Sequence, residues 1–197
     1  RLDIKGKETD LDKNIIEKIA DPLKHMIRNA IDHGIELPEE RVKSGKEEEG
    51  RILLNAYHKE GNIVIEIADD GQGLDKEKIL EKALDKGIIE SAEGLSDNEI
   101  YKLILAPGFS TAQEVTETSG RGVGMDVVKS NIEKLRGTVN ISTELGKGTT
   151  FKLKLPLTLA IIDGMAIKIG TERFIIPLNS IYEFIQPKAE DLKTVKG

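Results

Sequence analysis

The chain has no cysteine. Disulfides and thiol chemistry are therefore excluded, and a reducing compartment is compatible with the composition. There is no run of about 18 apolar residues, the length a membrane-crossing helix needs. The first residues, RLDIKGKETD, lack the apolar stretch of a signal peptide. Positive charge is not in excess: the net charge of −6 argues against non-specific binding to nucleic acid. No Walker-type G-x-x-x-x-G-K-[ST] occurs. A phosphate ligand, if one binds, must be held by backbone dipoles and a few well-placed cations.

What is present fits a soluble globular protein, with 38% hydrophobic and 32% charged residues in 197. That length allows one domain of ordinary size and a small appendage. The most informative stretch is 21–34, DPLKHMIRNAIDHG. Asp21 reads as an N-cap, Pro22 as the first helical residue, and Gly34 as a left-handed stop. At about 100° per residue, Leu23, Met26, Ile27, Ala30 and Ile31 share one stripe. His25, Asn29 and Asp32 point the other way, with Arg28 beside them and His33 near the end. A solvated helix face usually carries long Lys and Glu; this one carries short polar groups.

The remaining elements follow from periodicity and punctuation. Residues 2–7 read as an edge strand, and 10–20 as an amphipathic helix capped by Asp10. Residues 35–50 are charged and turn-rich, an exposed connection with a turn of helix at 39–44. Strands over 51–58 and 63–68 flank the KEGN hairpin turn. Asp75 caps a helix that Gly87 stops, with Ile79, Leu80, Ala83 and Leu84 inward. Ser96 and Glu99 have capping-box spacing at the head of the next helix. Residues 108–124, GFSTAQEVTETSGRGVG, lack periodicity and read as a functional or mobile lid loop. A helix over 125–135 and a strand pair, 138–143 and 149–155, complete this part. Strands and helices are partly segregated, which predicts an α+β sandwich, helices on one face of a mixed sheet. Beyond Pro156 the pattern turns β-rich, with strands expected near 166–169, 174–177 and 181–185. That segment is too short to build a core unaided and reads as the start of a second, truncated β domain covering 157–197.

Two glycine clusters carry the chemistry. Asp69-Asp70-Gly71-Gln72-Gly73 follows a strand, where Gly71 and Gly73 permit a sharp turn and close approach to a ligand. A carboxylate there can accept from an exocyclic amine such as that of adenine; a plain turn is the other reading. Gly120-Arg121-Gly122-Val123-Gly124 leads into the helix beginning at Met125, a junction whose N–H groups suit phosphates. Each cluster is a weak signal alone.

Together with their neighbours they are specific. HMIRNAIDHG, DDGQG, PGFST, GRGVGMDVV and GKGTTFKLKLP match, in order, the asparagine box, first glycine box, phenylalanine box, second glycine box and Gly-Thr segment of a nucleotide-binding superfamily. Residues 1–156 thus resemble the ATP-binding (Bergerat-type) domain shared by gyrase, Hsp90, histidine kinases and MutL. RNAIDHGIE, PGFST and SGRGVGMDVV are more similar still to the chemotaxis histidine kinases of the CheA family. PLTLAIIDGMAIKIG and FIIPL resemble the opening of the CheW-like regulatory domain that follows in those kinases.

The resemblance implies Mg-ATP as ligand and a histidine as phosphoryl acceptor. It makes Asn29 the Mg²⁺ ligand, Asp69 the acceptor from the adenine amine, and Gly71, Gly73, Gly120, Gly122 and Gly124 backbone contacts around the nucleotide. Thr149 falls near the adenine, and Arg28, Asp32, His33, Ser110, Arg121, Val123 and Met125 fall within the matching boxes. Lys78 and Lys82 either face the phosphates or belong to a solvated helix face. His33 either stabilises a helix end or serves the site, and Phe109 either seats the lid or simply packs. His25 stands one turn before Asn29, where gyrase- and Hsp90-type ATPases carry a glutamate that activates water. A neutral imidazole there favours transfer to a protein group over transfer to water.

His25, His33 and His58 are the only histidines, and none lies on a helical bundle of the kind that carries the family's acceptor. The expectation is therefore a catalytic module that phosphorylates a separate histidine-phosphotransfer domain, with response regulators downstream. CheW and chemoreceptors would bind the C-terminal β segment, the location would be cytoplasmic at receptor clusters, and the intact kinase would be a homodimer through an upstream segment. A gyrase- or Hsp90-type ATPase, or a vestigial nucleotide module used for assembly, are the alternatives.

Overall fold

Five strands frame the part of the molecule that holds the glycine clusters. The computed structural model describes residues 1–109, 124–157 and 164–185. Strands β2 (Ile52–Lys59) and β3 (Asn62–Asp69) pair antiparallel, with Ile52 opposite Asp69. Their hairpin turns on Glu60 and Gly61, both at positive φ, the geometry that matches strand twist in a two-residue turn. β5 (Gly148–Pro156) lies antiparallel between β3 and β4 (Thr138–Glu144), while β1 (Leu2–Lys5) runs parallel to β2 at the other edge. The order β1-β2-β3-β5-β4 makes the sheet mixed, and with its helices it is the expected α+β architecture.

Alternation decides which sheet face is covered. Ile63, Ile65 and Ile67 of β3 and Leu153 and Leu155 of β5 are buried against the helices. The other face carries polar pairs, with Glu66 accepting from Tyr57 at 2.9 Å and ion-paired to Lys152 at 2.8 Å. The helical layer comprises α1 (Lys13–Asn29), α2 (Pro38–Lys43), α3 (Lys76–Asp85), α4 (Asp97–Lys102) and α5 (Met125–Lys134). Ile19, Met26, Ile79, Ala83, Ile100, Val128 and Ile132 enter the same core. The capping signals are realised: Asp75 accepts from Glu77 N at 3.0 Å, and Ser96 with Glu99 forms a capping box. Leu80 is half-buried, but Leu84, expected inward, is exposed.

The structure corrects the reading of residues 10–34 in three respects. Asp21 caps nothing, because α1 runs unbroken from Lys13 to Asn29 with Pro22 inside it. A proline in a helix interior removes one hydrogen bond and costs about 3 kcal/mol. The apolar positions stay in phase across it, and Pro22 itself is fully buried, so burial outweighs the break. The cap is Asp12, which accepts from Asn14 N at 2.7 Å, rather than Asp10. Gly34 is not left-handed; the helix ends instead in a π-turn, Ala30–Gly34, closed by Ile35 N donating to Ala30 O at 2.8 Å. That wider turn rotates Ile31 out of the apolar stripe and leaves it exposed.

The chain divides into two units, Arg1–Leu157 and Thr158–Gly197. In the second, β6 (Gly164–Ile169) and β7 (Glu172–Pro177) form an antiparallel pair. The strand expected over 181–185 is not there: no described strand pairs with it, and Tyr182, Phe184 and Ile185 are exposed.

Candidate nucleotide site

Helix α1 sets His25 and Asn29 one turn apart on one face. The π-turn then carries Ala30, His33 and Gly34 to the wall of the same cavity, while Asp32, like Ile31, is exposed.

The floor is the end of β3. Asp69 Oδ1 accepts from Gly71 N at 3.0 Å and from Thr149 N of β5 at 3.2 Å. Such a carboxylate cannot wander. The loop after it is held on two sides. Gln72 N donates to Gly34 O at 2.9 Å, and its side-chain amide donates to His33 O at 2.7 Å. From the β4–β5 turn, Gly146 N donates to Gln72 O at 2.7 Å. Two glycines make this close approach possible: a Cβ on Gly71 would land on the Gly34 carbonyl, and Gly73, at φ +74, faces the Glu144 carbonyl.

Behind the loop sits a charge cluster that corrects the reading of 35–50 as exposed. Arg41 is only 1% exposed. Its guanidinium donates to Glu47 O at 2.8 Å, Glu36 Oε2 at 3.1 Å, Asp70 O at 3.2 Å and Asp70 Oδ2 at 2.9 Å. Lys46 Nζ donates to Glu36 Oε1 at 2.6 Å, Asp70 O at 3.0 Å and Gly71 O at 2.6 Å. A guanidinium can be buried when its fork is satisfied in this way.

The cavity above the floor measures about 460 Å³. It brings together His25, Asn29, His33, Asp69, Gly73, Lys82, Gly124, Met125 and Thr149, all candidates from the sequence. Gly71 does not line it but donates to Asp69 from below. Arg28, Asp32 and Lys78 are exposed and do not line it either, and Lys78 instead pairs with Asp75 at 3.6 Å. Ser110, Gly120, Arg121, Gly122 and Val123, with most of the expected lid loop, lie outside the described residues. Leu74, Ile104 and Phe151 also line the cavity. None of the three is among the residues expected from the sequence; alternation could have found Phe151, which shares a strand face with Thr149 two residues earlier, but nothing marked Ile104, in a short 3₁₀ turn.

Electrostatics distinguish the two sides. Burial pushes the Asp69 carboxyl above its usual range; the Gly71 and Thr149 N–H groups oppose the shift, while Asp70 and Glu36 add to it. His25 is pushed below its usual value, by burial first and then by the Arg28 charge, with Asp126 acting in the other direction. The imidazole is therefore neutral at pH 7. Lys82 Nζ lies 5.1 Å from the centroid of the buried Phe109 ring, and Lys86 Nζ donates to Gly108 O at 3.0 Å and Phe109 O at 2.8 Å. Among the described residues no group of three His, Asp or Glu could hold a metal ion.

The chain belongs to the histidine kinase-, DNA gyrase B- and HSP90-like ATPase family, whose model matches residues 18–159. Over its full length it is 54% identical to the chemotaxis protein CheA of Klebsiella aerogenes and 54% identical to the sensor histidine kinase CheAY of Helicobacter pylori. It spans 30% of the first protein's length and 25% of the second's. It also matches the blue-light activated histidine kinase EL346 of Erythrobacter litoralis, with TM-score 0.48 and 14% identity, over 80% of this chain and 35% of that one.

Proposed function

We propose that this chain is the catalytic module of a chemotaxis histidine kinase, which binds ATP and transfers its γ-phosphoryl group to a histidine on a separate phosphotransfer domain. One observation carries the reading: a half-buried carboxylate, Asp69, fixed through one oxygen by two backbone N–H donors at the floor of a cavity that also borders the N-terminus of α5. The second oxygen accepts from the adenine amine. The phosphates lie toward Gly124 and Met125, where unpaired N–H groups and the helix dipole favour anions. Lys82 supplies a cation nearby.

In the transfer, a nitrogen of the incoming imidazole bonds to the γ-phosphorus, the bond to the bridging oxygen breaks, and ADP leaves. The attacking nitrogen brings a lone pair and no proton, so the proton on the far ring nitrogen leaves to a base of the incoming domain or to water, while neutral His25 donates a hydrogen bond to the γ-phosphoryl oxygens. No carboxylate occupies the His25 position to activate water in its place.

A Mg²⁺ ion suits the donor set. Asn29 offers one side-chain oxygen on the cavity wall, and an ion that keeps its waters and leans on ligand phosphates needs little more. When bound, it neutralises phosphate charge.

The remaining parts follow from the same reading. Thr158–Gly197 begins a regulatory β domain that engages CheW and receptors, response regulators act downstream, and the intact kinase is a homodimer at cytoplasmic receptor clusters. Among the described residues no helix is long and apolar enough to cross a membrane.

The test is incubation with Mg-ATP, with and without a separate histidine-phosphotransfer domain. His25 and His33 line the cavity on one helical segment, and His58 sits exposed on β2. None can reach in-line attack. The added domain should become labelled, while the chain alone shows weak hydrolysis and no acid-labile, base-stable phosphate. Stoichiometric phosphohistidine on the chain alone would overturn the reading of the acceptor. No labelling of any added domain would overturn the kinase reading.

A further inference from the structure

The hydroxyl of Thr143, on β4, joins three segments beneath the cavity. It accepts from Leu74 N at 2.9 Å, lies 3.0 Å from Gly148 O, and lies 3.2 Å from Thr149 Oγ1. A hydroxyl has one proton and two lone pairs. Gly148 O can only accept, so the Thr143 proton goes there. The contact between the two threonines can then form in one sense only: Thr149 donates to Thr143. Thr149 is 6% exposed, and its hydroxyl makes no other hydrogen bond among the described residues. Its proton is committed downward, and its lone pairs are left to the cavity it lines. Asp69, tied to the Thr149 amide at 3.2 Å, is an acceptor as well.

We propose that Thr143 is a positioning residue for base specificity. By taking up the Thr149 proton it holds that oxygen as an acceptor, so Thr149 and Asp69 together accept an amino-bearing purine edge and reject a keto-bearing one. The inference rests on the adenine-nucleotide reading given above. A 6-aminopurine brings donors to two acceptors. A 6-oxopurine puts a carbonyl oxygen where the amine stood; its N1–H can serve one acceptor, but that oxygen is left facing the other, and a site built from committed polar groups discriminates against such a mismatch. A freely rotating threonine could turn its proton to the carbonyl and soften that penalty. Thr149 cannot while Thr143 is in place.

ATP and ITP are the probes, since they share size and phosphates and differ at this base edge. Their dissociation constants are measured by calorimetry on the whole chain with Mg²⁺. Wild type should prefer ATP. Thr143→Val, similar in shape but lacking the hydroxyl, should narrow the ATP:ITP ratio by about five- to tenfold, the scale of one hydrogen bond, mainly through tighter ITP binding. Thr143→Ser should keep the wild-type ratio. Thr143→Val also strips the Leu74 N–H of its acceptor, so folding is checked by circular dichroism. If that variant is unfolded, Thr149→Val, which leaves the Leu74 contact intact, should narrow the ratio by a similar factor. An unchanged ratio in the folded variant overturns the inference. A wild type that binds both nucleotides equally also overturns it, while leaving the cavity a nucleotide site. A wild type that binds neither removes the adenine reading itself.

Discussion

Arg41 and Asp70 meet through a 2.9 Å ion pair across 29 residues of sequence, and the guanidinium in that pair is almost wholly buried. Its other donors reach Glu36 and two carbonyls, so a single side chain ties the 36–47 segment to the back of the Asp69 loop. Removing one partner of a buried ionic pair typically costs about 3–5 kcal/mol, because the other charge is left uncompensated. Asp70 is partly exposed and Lys46 remains, so Arg41→Met should lose about 3 kcal/mol in urea unfolding, the lower end of that range. Arg41→Lys should recover only part of it, since an ammonium cannot reproduce the fork. A loss below 1 kcal/mol would mean the cluster is not a structural tie.

Asp69→Asn separates recognition from stability. With its carboxyl pushed above the usual range, the folded chain binds that proton more readily than the unfolded chain does. Stability then falls as pH rises from the unfolded value through the raised one, and the full penalty is present above it. Asparagine removes the penalty and keeps an acceptor for the Gly71 and Thr149 amides, but it can present an N–H to the adenine amine. The apo melting temperature should hold or rise at pH 7. ATP affinity should fall about ten- to a hundredfold, as for loss of a hydrogen bond to a charged acceptor. Calorimetry showing unchanged affinity would remove Asp69 from the site.

His25 has the opposite linkage. Its folded value is depressed, so the unfolded chain binds the proton more readily, and its contribution is present above the unfolded value of about 6.5 and lost as pH falls toward the depressed one. His25→Gln should flatten the acid-side loss of stability in that window. In the transfer assay His25→Ala should slow labelling by about a hundredfold, the low end for loss of one hydrogen-bond donor to the transition state, with ATP affinity changed much less. Equal losses in rate and affinity would make His25 a binding residue only.

Gly71→Ala tests the close approach. The added carbon would meet the Gly34 carbonyl, and backbone cannot yield as a flexible side chain does. The loop must shift, taking with it the amide that holds Asp69. Nucleotide binding should drop below detection in a variant that still folds by circular dichroism. Wild-type binding would show that the loop has slack which the packing does not suggest.

The first glycine loop, the cap of α3, the capping box of α4 and the β2–β3 and β4–β5 hairpins were legible because each rests on local chemistry: a turn needs a glycine, or an N–H needs an oxygen. What escaped was tertiary. Asp21-Pro22 has the composition of a helix start, and only the burial of Pro22 against the core shows that the helix runs through. Ile31 satisfies the helical period, but the π-turn inserts a residue's worth of rotation and turns it outward. Arg41 stands in a run of exposed-looking charges, and nothing nearby in sequence reveals that Asp70 will close its fork. Thr143 gave no signal beyond strand alternation. Its importance comes from proton counting across three segments that meet only in the folded chain.

Asp69 and Thr149, whose contact makes the floor of the cavity, are separated by 80 positions along the chain. Contacts of such long range form late, because the intervening loop must be closed before they give anything back. On a ribosome, the asparagine helix and the first glycine loop will have emerged long before β5 can donate its amide. Nucleotide then arrives as a ligand of the finished fold and not as a template for it. Added ATP should leave the refolding rate nearly unchanged and act instead on unfolding, making the module slower to come apart once assembled.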